Sequence, residues 1–469
     1  MTIHPLTLDD KYALERGRVF LTGIQALVRL PMMQKRLDRA AGLNTAGFIS
    51  GYRGSPLGGL DQQLWRAQNF LDAHDVRFQP GVNEDLAATA VWGSQQTNLY
   101  AGARYDGVFG MWYGKAPGVD RSGDVFRHAN AAGTWGKGGV LAIAGDDHAC
   151  KSSTLPSQSE FTFMDLEIPI LSPSGIQEVL DYGLIGWALS RFAGTWVSMI
   201  ALAETMDASA TVDVAPGRLQ IRNPRDVAVP PGGFGLRIGD TPQEQERRLR
   251  EFRIPAVRAF SRENVLNRVV LDSPNARVGI VACGKSYADL RQAFVDLGLG
   301  NKEIARLGLR VFKVGMPWPL EADGVRHFAE GLQEILVVEE KRQVIEYQVK
   351  EELYNWRPDV RPNVLGKFDE PEGDATGGEW SMPNPSENWL LRAKADLTPA
   401  IVAKAIARRL LKAGIVQPGS DVAARMQQRL DVLAARERQL AEIQTGTGDR
   451  IPWFCSGCPH NTSTRVPEG

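Results

Sequence analysis

Short apolar runs, each ending in a glycine-bearing loop and each followed by a helical pattern, recur along this chain. Residues 46–50 (AGFIS) run into Gly51-Tyr52-Arg53-Gly54-Ser55-Pro56-Leu57-Gly58-Gly59, and residues 108–114 (VFGMWYG) run into a loop over 115–126. Residues 138–147 lead to a Ser-rich loop, and apolar runs at 168–173 and 197–204 follow. A second series lies at 277–284, 309–315 and 334–340, again with helical patterns between. Strands that are apolar on both faces and alternate with helices predict parallel sheets covered on both sides. The expected fold class is therefore α/β: a doubly wound parallel sheet over residues 1–210 and a second, smaller α/β unit over 271–365. The 48 glycines fit loops that approach a ligand or another backbone closely.

At 469 residues the chain is long enough for two or three domains. Residues 211–270, rich in Pro and Arg, read as a connector, and 366–449 as an irregular and helical linker. A third segment starts at 450 and breaks off within the remaining residues to 469. The formal net charge of -1 gives no global attraction for nucleic acid or an anionic membrane. No run is long and apolar enough to span a bilayer. The N-terminus, MTIHPLTLDDKYALERG, has no signal-peptide core. Four cysteines in such a length make no disulfide framework, and a reducing cytoplasm is the natural setting.

Four patterns carry candidate chemistry. Cys455-Ser456-Gly457-Cys458 is a half-site for zinc, a redox disulfide or an iron–sulfur cluster, with an exposed dithiol as the bland alternative. Cys150 and Cys283 are single and distant, so a four-ligand site needs cysteines from elsewhere. Glu84 opens an apolar helix after Pro80-Gly81-Val82-Asn83. There it serves either as a surface residue favoured by the helix dipole or as a desolvated carboxylate able to share a proton with a ring nitrogen. The loop at 51–59 follows a strand, where open α/β sheets bind ligands. Arg53 there can pair with a carboxylate and Ser55 can donate to one, although a plain turn explains the same residues. Lys115, Asp120, Arg121 and Asp124 occupy a comparable strand-end loop, as do Asp146, Asp147 and His148. No His pair has metal spacing, and His148 alone reads as a hydrogen-bonded polar residue. Finally, residues 279–286 formally match a phosphate-binding loop ending in Lys285-Ser286. However, the residues between its glycines look like a strand, whose N–H groups pair within a sheet rather than with phosphate.

In order, the segments GYRGSPLGG, GVNEDLAATAVWGSQQ, GKAPGVDRSGD, AGDDHACKSS, KVGMPWPL, LVVEEKRQVIEYQVKE and FCSGCPHNTSTRVPEG resemble the 2-oxoacid:ferredoxin oxidoreductases, most closely the large fused indolepyruvate type. The resemblance implies a pyrimidine-type thiamine diphosphate-binding domain followed by a transketolase C-terminal-like domain. It implies that Glu84 contacts the aminopyrimidine, that Gly54 and Ser55 lie near thiazolium and substrate, and that Arg53, Ser55 and Lys115 face the substrate. Arg53 stands where many relatives have Pro. Cys455 and Cys458 match the first two ligands of a [4Fe-4S] cluster. The Gly-Asp-Gly…Asn motif that holds Mg²⁺ and diphosphate is absent from the sequence.

The implied reaction is oxidative decarboxylation of an aryl 2-oxo acid. Carbon dioxide leaves, electrons pass singly through the cluster to ferredoxin, and coenzyme A takes the acyl group. An aromatic-lined substrate pocket and a homodimeric full-length protein are further implications, as is inactivity of this chain alone. The alternatives are a non-oxidative thiamine-dependent decarboxylase or transketolase relative, which would not need the cysteine pair, and a nucleotide-binding module built on Lys285.

Overall fold

A computed structural model describes residues 7–151, 153, 155–369, 389–444 and 460–466. Thirteen strands are described. They are β1 (Arg18–Thr22), β2 (Thr45–Gly51), β3 (Val76–Phe78), β4 (Gly107–Lys115), β5 (Val140–Asp146), β6 (Ile170–Leu171), β7 (Trp196–Leu202), β8 (Ser209–Asp213), β9 (Asn267–Leu271), β10 (Val278–Cys283), β11 (Leu309–Val314), β12 (Glu334–Val338) and β13 (Asn363–Leu365). Six form a wholly parallel sheet in the order β3-β2-β4-β5-β7-β6. The chain leaves β2 towards β3 on one side and returns to β4 on the other, so the sheet has a switch point between β2 and β4. Ligands bind at the carboxyl ends of strands beside such a reversal.

The central strands β5 and β7 are buried at every position. Helices Gly23–Ala40 and Ile176–Ala193 cover one face through Leu27, Leu30, Leu180 and Leu184. Helices Glu84–Gln96 and Gly123–Ala132 cover the other through Ala87, Ala88, Val91 and Phe126. The expected strands are present, with ends moved by no more than two residues.

The second sheet, β13-β12-β10-β11-β9, is parallel except for β9, which runs antiparallel to β11. Two stretches are more ordered than their composition suggests. Within 211–270, helix Pro242–Arg248 continues through a π turn into helix Ile254–Glu263. Buried Arg253 from that turn donates to the carbonyls of Phe234 (2.9 Å), Asn130 (3.2 Å), Ala131 (2.9 Å) and Ala132 (3.1 Å), capping the end of helix Gly123–Ala132. Within 366–449, helix Pro399–Lys412 packs Val402, Ala403, Ile406 and Leu410 into the core of the second sheet, so this part is covering layer rather than linker.

The two sheets meet edge to edge. The β6 segment bonds to the chain after β11, with Ile170 N–H on Trp318 O (2.8 Å) and Ser172 N–H on Gly315 O (2.9 Å). Buried Lys313 ties β11 to Glu178 and to the Ser174 hydroxyl. Among the described residues no helix is long and apolar enough to cross a membrane.

Candidate active site at the strand ends

The switch point is built by close backbone approaches. Gly81 N–H donates to Gly51 O at 2.9 Å, and Tyr52 N–H donates to Tyr113 O at 3.1 Å, so the segment before Glu84 and the Gly-rich loop both hang from the ends of β2 and β4. Asn83 then caps the helix, its side chain accepting from Leu86 N–H at 2.9 Å. The helix Glu84–Gln96 thus starts at the sheet edge with its N-terminal dipole facing the crevice.

Glu84 is the first residue of that helix and is half-buried. Its backbone carbonyl accepts from the indole of Trp112 at 3.0 Å. Its side chain rests in a notch made by two glycines. A Cβ on Gly118 would come within 2.9 Å of the Glu84 carboxyl carbon and Oε1, and one on Gly114 would lie 3.5 Å from Cγ. Asp85 beside it pairs with Arg121 at 3.1 Å. The helix is buried on one face only. Ala87, Ala88 and Val91 point inward, whereas Leu86, Thr89 and Ala90 are exposed. The helix that reads as apolar in sequence is thus buried along one stripe only, the one facing the sheet.

The Gly-rich loop is fastened at both ends. Tyr113 of β4, fully buried, donates to Asp61 at the start of the next helix. Burial raises the Asp61 carboxyl above its ordinary value, with the Tyr113 bond and Arg53 opposing. Pro56 and Leu57 lie over Gly145 of β5, where a Cβ would come within 3.0 Å of Pro56 Cδ. Gly54 lies against Lys115, where a Cβ would sit 3.0 Å from Lys115 Cβ. Arg53 is exposed, while Gly54 and Ser55 are half-buried. Burial lowers the pKa of Lys115, with Asp147 and Cys150 opposing. Residues 114–118 are therefore the meeting point: Glu84 rests on Gly114 and Gly118, and the Gly54–Ser55 loop rests on Lys115. Asp147 joins this edge from β5.

Other candidates fall elsewhere. Residues 115–126, read as a loop, form helix Ala116–Arg121 and the start of helix Gly123–Ala132. Asp120 and Arg121 lie on the first and Asp124 in the first turn of the second. Lys285 is committed inside the protein. Its ammonium donates to Asp289 (2.7 Å), Glu340 (2.9 Å) and Leu397 O (2.7 Å). Residues 278–283 are strand β10, and the chain turns at Gly284 with φ of 47°, where any Cβ would collide with the Ser172 hydroxyl. Glu339 accepts from Val344, Ile345 and Glu346 N–H at 2.8–3.1 Å, capping a helix. Both the lysine and the acids of the phosphate-loop match are thus structural. Trp112, Trp187 and Trp196 are fully buried in the core, so they line no substrate pocket. Cys455 and Cys458 lie outside the described residues.

Residues 267–443 match the family model of the indolepyruvate ferredoxin oxidoreductase middle domain. The chain is 27% identical over 341 residues to indolepyruvate oxidoreductase subunit IorA of Pyrococcus abyssi, covering 71% of this chain and 47% of that protein. It is 26% identical over 363 residues to the subunit IorA of Methanothermobacter thermautotrophicus, covering 77% and 52%. This chain is related to the indolepyruvate ferredoxin oxidoreductases. It spans about half the length of the curated relatives it matches. In three dimensions it resembles 2-oxoglutarate:ferredoxin oxidoreductase from Magnetococcus marinus, solved with 2-oxoglutarate, coenzyme A and succinyl-CoA bound. The TM-score is 0.56 at 14% identity, over 84% of this chain and 66% of that one, a likeness of fold.

Proposed function

We propose that this chain supplies the pyrimidine side of a thiamine diphosphate site in an enzyme that oxidatively decarboxylates aryl 2-oxo acids such as indolepyruvate. The observation that carries this reading is the Glu84 carboxylate, seated by Gly114 and Gly118 at the switch-point edge of a parallel sheet. The site residues fit the group: a carboxylate at a helix start is the partner an aminopyrimidine nitrogen requires, and Gly118 leaves it room beside the strand ends. Thiamine diphosphate, when bound, supplies the electron sink for loss of carbon dioxide.

The chain's own residues do the rest. Glu84 holds and relays a proton at the ring nitrogen. Gly54 keeps the loop close to Lys115, and the Ser55 hydroxyl bonds the reacting carboxylate or carbonyl. Lys115, drawn partly out of water, makes a stronger partner for a substrate carboxylate than a solvated ammonium does. Arg53, exposed at the loop tip, adds a second positive group for that carboxylate.

Cys455 and Cys458 are proposed as two ligands of a [4Fe-4S] cluster that passes electrons to ferredoxin, with coenzyme A as acyl acceptor. Mg²⁺ and diphosphate need a Gly-Asp-Gly…Asn motif that this sequence lacks, so the chain is proposed to be inactive alone; a cytoplasmic homodimer of a longer protein is proposed as the working form. The test mixes the chain with thiamine diphosphate, Mg²⁺, indolepyruvate, coenzyme A and a viologen dye. No dye reduction is expected alone, and reduction is expected once a diphosphate-binding region is fused to it. Robust reduction by the chain alone contradicts the proposal. Iron-free turnover of the fused protein without an electron acceptor supports the non-oxidative decarboxylase instead.

A further inference from the structure

A pocket of about 20 Å³ lies at the seam between the two sheets, large enough for one water molecule or ion. His148, Glu160, Cys283, Ser286, Glu339 and Glu340 are among the side chains lining it. Most of the polar groups here are already engaged. Lys285 bonds Glu340 and Asp289, Lys341 donates to His148 O at 2.7 Å, and Lys367 donates to Glu339 O. Three are not. Nε2 of His148, a residue 7% exposed, has no hydrogen-bond partner, nor has Oε2 of Glu160, nor the hydroxyl of Ser286, a residue 1% exposed. Unbonded buried polar atoms are rare in folded proteins, and three around one pocket point to a missing occupant.

Asp146 at the end of β5 completes the cluster. One ligand atom each from Asp146, His148 and Glu160 lie within 4.8 Å of one another. The centre of a triangle that size is at most about 2.8 Å from each corner, so small rotamer shifts bring all three atoms to the ~2.1 Å of a zinc–oxygen or zinc–nitrogen bond. Asp146 is held for this. Its Oδ2 accepts from Ser159 N–H (2.9 Å) and its Oδ1 from the Ser159 hydroxyl (2.6 Å), leaving a lone pair on each oxygen. Two carboxylates side by side in a buried site repel each other, and a divalent cation cancels both charges where no lysine does.

We propose that Asp146, His148 and Glu160 bind a divalent metal ion of the zinc class, separate from any Mg²⁺ that accompanies diphosphate. The ion sits among the three ligand atoms, and the single space of the pocket holds the water bound to it, which donates to the Ser286 hydroxyl. Because the three ligands come from the first sheet and Ser286 from the second, the ion rivets the seam.

The test uses the whole chain with Cys455→Ser and Cys458→Ser in every sample, so that the cysteine pair contributes no zinc binding. After chelation and dialysis, Zn²⁺ is titrated against a chromophoric competitor, and bound metal is counted by mass spectrometry. One equivalent is expected, weakened about 100-fold or more by His148→Gln and by Glu160→Gln, and unchanged by His128→Gln on the exposed surface. Glu160→Gln is nearly isosteric and neutral, so it folds whether or not a metal binds, as circular dichroism checks. Bound Co²⁺ should show d–d bands without a thiolate charge-transfer band. Absence of stoichiometric binding, or equal zinc affinity in Glu160→Gln and its parent, overturns the proposal and leaves the pocket to water.

Discussion

Glu84 can stand where it does because position 118 carries no side chain. A methyl group on Gly118 would occupy the space of the Glu84 carboxyl group, with contacts of 2.9 Å that real Cβ atoms do not make. Gly118→Ala should therefore push the carboxylate out of its notch and cost about 1–3 kcal/mol in stability, as overpacking does. Urea unfolding measures that cost, and loss of thiamine-dependent activity in the fused protein should exceed it in effect. The same residue shows how far sequence reasoning reaches. The turn before Glu84 and the helix after it are legible from Pro80-Gly81 and the capping Asn83. The notch is not, because Gly114 and Gly118 come from another strand and helix. His148 is a second case: a lone histidine reads as a bonded polar residue, yet its Nε2 has no partner.

At the scale of elements, the strands were the readable part, since their apolar runs are long and bounded by glycine. Residues 115–126 read as a loop because Ala-Pro-Gly and Ser-Gly look like breakers. Pro117, however, sits in the first turn of its helix, where a missing N–H costs nothing. Strand β3, three residues long, offers too few positions for any period. The helix Glu84–Gln96 buries one stripe against the sheet and shows another, with Leu86 53% exposed beside Ala90 and Gly93. Small residues on such a face allow a second helix to approach closely. If the homodimer proposed above uses it, Ala90→Arg should convert the dimer of the longer protein to monomer without unfolding it. Sedimentation velocity checks this; an unchanged dimer assigns the interface elsewhere.

Across the whole molecule, the two sheets are joined by a seam dense in buried ionisable groups. Burial raises Glu160 to about 8, and Asp146, Glu339 and Glu340 push it in the same direction. Burial likewise raises Glu339 to about 7, with Lys367 opposing. An acid whose pKa is higher when folded holds a proton that the unfolded chain releases, so its contribution to stability is full below about 4.5 and is lost as pH rises through the folded value. These two acids should therefore take stability away between about pH 4.5 and 8 in metal-free protein, while His148, lowered by its burial, works in the opposite direction below its ordinary range. Glu160→Gln should flatten that slope by close to one proton; an unaltered slope would place the titration on another group.

Whether Glu84 works on the aminopyrimidine is read by hydrogen–deuterium exchange at thiamine C2, followed by quenched-flow NMR on the fused protein. Glu84→Gln is expected still to bind thiamine diphosphate but to slow the exchange by about 100-fold or more, the size of a lost general acid–base contribution. Equal exchange rates in the two proteins would contradict it.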